Sequence, residues 1–287
     1  MNNWLKLQNK TAIITGAGSG IGKTIAKALH AQGCNLFLAD FNEQGLTDFC
    51  STFHGNIPTM KRVDVTSKEE ISDFMKFVDG ISSEKEISDA SILINAAGIL
   101  RDAFLSDTTE EAYDQVLDTN LKGTFLACQA FCAPHRIEQL LKNGEGGSIV
   151  NLGSVISERG NIGQANYAAS KGGVVGLTRA LAKEMAYLST KIKKDQHLIT
   201  TTSTGNSTGN STGDANIRVN AILPGVIKTP MTAGIPEVNK KRILSQIPLR
   251  RFGAPEDVAN MALFLSSEER SGYVTGECWE CSGAIAI

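Results

Sequence analysis

The chain has 287 residues, 41% of them hydrophobic and 20% charged, with a formal net charge of −2. It is long enough for a large core and ordinary in composition for a globular protein. It has no basic footprint for nucleic acid and no apolar run of membrane-spanning length, so neither partner is expected.

Residues Met1–Lys10 are too short and polar for a secretory signal and lack the Arg-rich character of a matrix transit peptide. The expected setting is the cytoplasm or the mitochondrial matrix. The six cysteines, at 34, 50, 128, 132, 278 and 281, read as free thiols. Cys278 and Cys281 form a C-x-x-C with no second pair and no nearby histidine, so no metal site is expected. The pair falls at a strand end rather than opening a helix, which also weakens a redox reading. None of the four histidines lies in a motif.

Thr11–Thr15 is a short β-rich run feeding Gly16-Ala17-Gly18-Ser19-Gly20-Ile21-Gly22, and a helical pattern follows through Ile25, Ala26 and Leu29. Strand, glycine-rich turn and helix in that order are the context of a dinucleotide fingerprint. Free N–H groups at the helix N-terminus favour a pyrophosphate, and glycine lets the backbone approach it. Asn35–Asp40 is the second strand and ends in an acid eighteen residues after Gly22. A carboxylate there accepts from the adenosine ribose hydroxyls and repels a 2′-phosphate, which points to NAD(H). Positions 17–21 and the residue after Asp40 carry no Arg or Lys, in agreement.

Thr59–Val65 reads as strand three and Lys68 to about Val78 as a helix. Ser91–Asn95 is strand four, followed by Ala96-Ala97-Gly98. Thr108 to about Cys132 is a long amphipathic helix, kinked or ended by Pro134. Ser148–Leu152 is strand five, and Gly163 to about Leu188 a helix. Ile217–Ile222 is strand six, and the last strand begins at Tyr273. Strands alternating with helices predict a doubly wound α/β Rossmann fold, a seven-stranded parallel sheet flanked by helices on both faces. One dinucleotide-binding catalytic domain over 1–287 is expected. Its insertion at about 195–215, rich in Thr, Ser, Gly and Asn, cannot bury apolar surface and reads as disordered.

The helix at 163–188 carries Tyr167-Ala168-Ala169-Ser170-Lys171, with Ser154 thirteen residues upstream. Tyrosine and lysine four apart share a helix face, and the cation favours the phenolate. Bringing a phenol from ~10 to about 7 needs on the order of 4 kcal/mol, which a lysine, a cationic cofactor and a helix terminus can supply together.

These motifs, with Asn120, Pro224 and Gly225, resemble the short-chain dehydrogenase/reductase family over nearly the whole chain. The resemblance implies Tyr167 as the general acid or base and Ser154 as the hydroxyl that holds the reacting oxygen. It implies Lys171 as the group binding the nicotinamide ribose, and Asn120 as the residue that positions a relay water. It implies NAD(H) contacts at Gly16, Ser19, Gly20, Ile21, Asp40, Asp64, Val65, Asn95, Ala96, Ala97, Tyr167, Lys171, Pro224, Gly225, Ile227 and Thr229.

Within the family, the stretches Asn161–Lys171, Pro224–Thr232 and Ile247–Ala259 look most like 3-oxoacyl-(acyl-carrier-protein) reductases and the 17β-hydroxysteroid dehydrogenase type 8 group. That implies a secondary alcohol and ketone pair, either estradiol and estrone or a 3-oxoacyl thioester. The alternatives are an NADPH-dependent bacterial-type reductase and a catalytically idle cofactor-bound scaffold. Implied partners are a small-molecule or acyl-thioester substrate and, in place of a monomer, a homotetramer or a heterotetramer with a second reductase subunit. The long helices at 108–132 and 163–188 and the last strand would build it. An acyl carrier protein is a further implied partner. The turn 143–147 lacks the basic side chain that bacterial reductases offer that carrier. Lys228, Lys240, Lys241, Arg242, Arg250 and Arg251 are the remaining basic candidates. The expected substrate mouth is apolar: Val226, Ile227, Met231, Ile235, Leu244 and Ile247.

Overall fold

The first half alternates strand and helix as its sequence pattern requires. β1 is Thr11–Thr15, α1 Gly20–Ala31, β2 Asn35–Asp40, α2 Glu43–Cys50, β3 Thr59–Arg62, α3 Lys68–Glu84 and β4 Ala90–Asn95. A computed structural model supplies this description for residues 4–203 and 216–285, with side chains described for 4–194 and 216–285. Next come α4 Glu110–Leu117, a π-turn at Asp118–Lys122, α5 Gly123–Phe131, α6 Pro134–Lys142, β5 Gly147–Leu152, α7 Ile156–Arg159 and α8 Ala165–Ser203. β6 Ile217–Pro224, α9 Pro230–Ala233, α10 Glu237–Gln246, α11 Pro255–Ser266, α12 Glu268–Ser271 and β7 Cys278–Cys281 complete it.

All seven strands are parallel, in the order β3-β2-β1-β4-β5-β6-β7. The doubly wound Rossmann fold expected from the alternation is present. Strand order reverses between β1 and β4, whose last residues, Thr15 and Asn95, lie side by side. Ligands of open α/β sheets bind at the carboxyl ends of the strands beside such a switch point.

Alternate strand residues feed opposite layers. Ala12, Ile14 and Leu38 pack with Ile25, Leu29 and Leu265 on one face. Ile13, Phe37 and Leu93 pack with Phe74, Phe131 and Met185 on the other. β1, β4, β5 and β6 are buried along their whole length, and burial on both faces explains their aliphatic runs, with two polar residues in each strand.

Several boundaries differ from the sequence expectation. β3 stops at Arg62 rather than Val65, because β2, its ladder partner, ends at Asp40 opposite Arg62. α3 continues past Val78 to Glu84. The single helix expected over 108–132 is interrupted by the π-turn, and Thr109 starts α4 by accepting Ala112 N–H at 3.1 Å. Pro134 opens α6, where its missing N–H costs nothing.

α8 runs beyond Leu188 to Ser203. Its helical backbone therefore enters the region expected as an insertion, and the rest, 204–215, lies outside the described residues. The last strand starts at Cys278, not Tyr273. Ahead of it, the Asn220 amide donates to Val274 O at 2.9 Å and accepts Glu277 N–H at 3.1 Å, beside two backbone bonds, Gly276 N–H to Val219 O and Ala221 N–H to Glu277 O, each at 2.8 Å. Cys278 and Cys281 stand three residues apart on an extended strand, their Cα atoms about 10 Å apart, beyond the ~7 Å reach of a disulfide. All six cysteines are free.

One buried cation ties the sheet to its flanking helices. Arg218 on β6 is 1% exposed and donates to Glu268 Oε2 at 2.7 Å, Ser271 Oγ at 2.9 Å and Leu265 O at 2.9 Å. Arg218→Met strips these partners together, and a stability loss of about 3 kcal/mol is expected in urea unfolding.

Candidate active site

β5 ends at Leu152, and its carbonyl oxygen accepts from Lys171 Nζ at 2.6 Å. Lys171 lies one turn after Tyr167 on α8 and is 5% exposed, its Nζ 5.8 Å from the tyrosine ring centre. Ser154, two residues past β5, hydrogen-bonds the Tyr167 phenol. Ser154 Oγ also accepts Ile156 N–H at 3.2 Å, which fixes its direction.

Ser170 joins this pair to the rest of the site. Its hydroxyl donates to Tyr167 O at 2.8 Å and accepts from Asn120 Nδ2 at 3.1 Å. Asn120 lies fully buried in the π-turn. π-Turns of this kind are short, single-turn departures from α-geometry. The Asn120 Oδ1 accepts Ile99 N–H at 2.8 Å, and Nδ2 donates to Ile99 O at 3.1 Å. The loop after β4, the π-turn and α8 are thereby bonded into one unit.

Gly98 lies inside that unit. A Cβ there would stand 3.2 Å from Asn120 Oδ1 and 3.5 Å from Lys171 Nζ. Glycine keeps the space between those two polar groups open.

Burial pushes the Tyr167 phenol up to about 12; the Ser154 hydrogen bond opposes that, and the Asp102 charge adds to it. Burial likewise brings Lys171 down to about 8. The expected lowering of the phenol by its lysine is therefore not what the chain alone produces. Desolvation of the phenolate outweighs it, and the ammonium is turned onto Leu152 O.

A cleft of ≈ 1280 Å³ lies over the carboxyl ends of β1, β2 and β4. Gly16, Ser19, Gly20, Ile21, Asp40, Asp64, Val65, Ala96, Ala97 and Thr229 line it. A second cleft of ≈ 620 Å³ shares Ile21, Ala96 and Thr229 with the first and adds Ser154, Tyr167, Lys171, Pro224, Gly225 and Ile227. The structure thus brings together every expected site residue except Asn95 and Asn120, which line neither. Asn95 points into the sheet, its Nδ2 donating to Asn151 Oδ1 at 2.9 Å, so no cofactor contact is assigned to its side chain.

These walls suit a dinucleotide. Gly16 has φ +67°, and a Cβ there would lie 2.5 Å from Ala97 N, so the turn requires glycine. Asp40 Oδ2 accepts Gly18 N–H at 2.8 Å and Oδ1 accepts Asn42 N–H at 2.9 Å. The acid holds the glycine-rich turn against β2 and leaves a negative wall, while Asn42 caps α2.

The short chain dehydrogenase family matches residues 10–211. The enoyl-(acyl carrier protein) reductase family matches 200–283. This chain belongs to the short-chain dehydrogenases. A 3-oxoacyl-(acyl-carrier-protein) reductase of Thermotoga maritima is 38% identical, over 99% of this chain and 100% of that one. A mouse (3R)-3-hydroxyacyl-CoA dehydrogenase is 36% identical, over 99% of each. A solved Agrobacterium tumefaciens structure, described as a 2-deoxy-d-gluconate 3-dehydrogenase with bound NADP, superposes with a TM-score of 0.75 at 32% identity. It covers 99% of this chain and 98% of that one.

The mouth of this short-chain dehydrogenase departs from expectation in part. Val226, Ile227, Met231 and Ile235 line it, but Leu244 and Ile247 do not. Ile247 is 1% exposed and packs into the core. Ile156, Ile243 and Ile285 take part instead, and Asp102, Gln164 and Arg242 add polarity. Sequence reading missed Asp102 and Ile285 because neither stands in a motif; loop contacts bring them in.

Two expected outcomes follow from this geometry. Gly98→Ala fills the space between Asn120 and Lys171, and kcat should fall at least tenfold with the fold retained by circular dichroism. Lys171 binds its proton less tightly folded than unfolded, so stability should rise as pH increases from about 8 towards the unfolded value of 10.5. The full rise is on the order of 3 kcal/mol. It should vanish in Lys171→Met, as read by denaturation at stepped pH.

Proposed function

We propose that this chain is an NAD(H)-dependent oxidoreductase that interconverts 3-oxoacyl and 3-hydroxyacyl thioesters. The observation that carries the reading is the convergence of Ser154, Tyr167 and Lys171 on a partly aliphatic cleft that shares Ile21, Ala96 and Thr229 with the dinucleotide-sized cleft. Both curated relatives described above bear names that refer to 3-oxoacyl or 3-hydroxyacyl thioesters.

In reduction, Tyr167 gives its phenolic proton to the carbonyl oxygen while Ser154 holds that oxygen. In the reverse direction Tyr167 takes the proton. The nicotinamide cofactor supplies or accepts the hydride, and its oxidised ring brings a positive charge. That charge works against the burial that raises Tyr167. Lys171 binds the nicotinamide ribose, and Asn120 with Gly98 shapes a place for a relay water. Gly16, Ser19, Gly20 and Ile21 hold the pyrophosphate, Asp64 and Val65 the adenine, and Pro224, Gly225, Ile227 and Thr229 the carboxamide.

Asp40 supports NAD(H) over NADP(H). Its carboxylate lines the large cleft, and Arg62, the cation opposite it on β3, is stacked on Phe41 and paired with Glu70 at 3.3 Å. Of the basic candidates for an acyl carrier, Lys240 is paired with Glu237 and Arg251 with Asp257. Arg242 lines the substrate cleft and suits the phosphate of a carrier or CoA arm. Exposed Tyr113 and Phe125, on α4 and α5, suit burial in a tetramer. The apolar wall also accommodates a hydroxysteroid, the second reading. The complete set Asn120, Ser154, Tyr167 and Lys171 weighs against an idle scaffold.

NADH oxidation with acetoacetyl-CoA and NAD reduction with estradiol test these readings. The thioester should turn over, and Tyr167→Phe should lower kcat by 10²-fold or more. Turnover of estradiol alone would replace the thioester reading with the steroid one. Asp40→Ala should narrow the NADH preference over NADPH at least tenfold; a preference for NADPH in the unaltered protein would overturn the NAD assignment.

A further inference from the structure

Among the described residues, three charged side chains line the substrate cleft: Lys171, Arg242 and one acid, Asp102. Asp102 is held in place. Both of its oxygens accept from Gln164 Nε2, at 3.1 and 3.0 Å. Asn161 Nδ2 fixes Gln164 in turn by donating to its Oε1 at 2.9 Å. The backbone on either side is tied down as well, through Ala103 N–H to Gly163 O at 2.9 Å and Asn166 Nδ2 to Arg101 O at 3.0 Å.

The Gln164 amide is neutral, so it orients the carboxylate without cancelling its charge. Among the described residues no lysine, arginine or histidine forms an ion pair with Asp102. The charge reaches the reacting group: it is one cause of the upward shift of Tyr167, after burial. Arg242, on α10, is exposed.

We propose that Asp102, oriented by Gln164, is a specificity-determining residue that admits neutral 3-oxoacyl esters and disfavours free 3-oxo acids. The inference rests on the reductase reading above. In a free 3-oxo acid the carboxylate carbon lies two bonds, roughly 2.5 Å, from the carbonyl carbon that reacts. Once Ser154 and Tyr167 hold the reacting oxygen, that anion stays inside the cleft that Asp102 lines, and Asp102 is bonded to Gln164, one helical turn before Tyr167. Esterification removes the charge and leaves the reacting carbonyl unchanged. Asp102 is exposed, so water and salt screen it, and the discrimination expected from one such pair of like charges is about tenfold.

The test compares ethyl acetoacetate with acetoacetate, a neutral ester and its free acid, neither carrying a phosphate. NADH oxidation is followed for the unaltered enzyme, Asp102→Asn and Asp102→Glu, at low and at high salt. The ester-to-acid ratio of kcat/KM should fall about tenfold in Asp102→Asn and stay high in Asp102→Glu. The gap between the two variants should shrink at high salt. A ratio equal in all three proteins overturns the proposal. So does a preference for the free acid that Arg242→Gln abolishes, since Arg242 would then be capturing the carboxylate.

A binding measurement keeps the two readings apart. The Kd of acetoacetate for the NADH-loaded protein, read from cofactor fluorescence, should tighten about tenfold in Asp102→Asn. That shift without turnover of either compound would support the role of Asp102 and sink the reductase reading. An unchanged Kd overturns the role of Asp102.

Discussion

The ammonium of Lys171 on the carbonyl oxygen of Leu152 is the contact on which the site depends. It joins the end of the fifth strand to the helix that carries the tyrosine, at 2.6 Å. A buried ammonium is costly unless its donors find partners. The depressed titration of Lys171 records that cost. The strand-end carbonyl is a partner that a parallel sheet provides, because its last residues lie at the rim where ligands bind. Moving the helix by one residue along the sheet would break the bond and turn Tyr167 away from Ser154.

The rest of the architecture serves that placement. The loop after β4 is bonded to Asn120, Asn120 to Ser170, and Ser170 to the backbone of Tyr167. Three segments distant in sequence thus share one polar network. Asn120 and Ser170, at its centre, are fully buried, so an unmade bond there would be expensive. The π-turn belongs to the same device, placing a fully buried asparagine in a helix whose next segment, α5, is almost wholly apolar.

Electrostatics and shape divide the two clefts. The larger is walled by glycine-rich backbone at a helix N-terminus and by several acids, among them Asp40 at the end of β2, where a ribose would lie. The smaller is lined by aliphatic and polar side chains together, with Tyr167 and Ser154 among them. Its aliphatic side chains offer apolar contact, and its polar groups can fix a ligand's orientation. Desolvation also raises Tyr167 in the chain alone, so the phenol needs a further positive charge before it can exchange its proton near neutrality.

The amino-acid sequence by itself determined the alternation of strands and helices, the glycine-rich turn, Asp40 and the Tyr167–Lys171 spacing. These are local: each follows from periodicity, from backbone freedom at Gly16, or from side chains one helical turn apart. The tertiary structure alone decided what crosses between segments. The inward turn of Asn95, the π-turn under Asn120, the gap at Gly98, and the arrival of Asp102 and Ile285 at the substrate cleft are set by packing between elements far apart in the chain. No local pattern encodes such contacts. The same holds for the Tyr167 phenol, whose sequence neighbour predicts a lowered pKa and whose burial, a property of the whole fold, raises it.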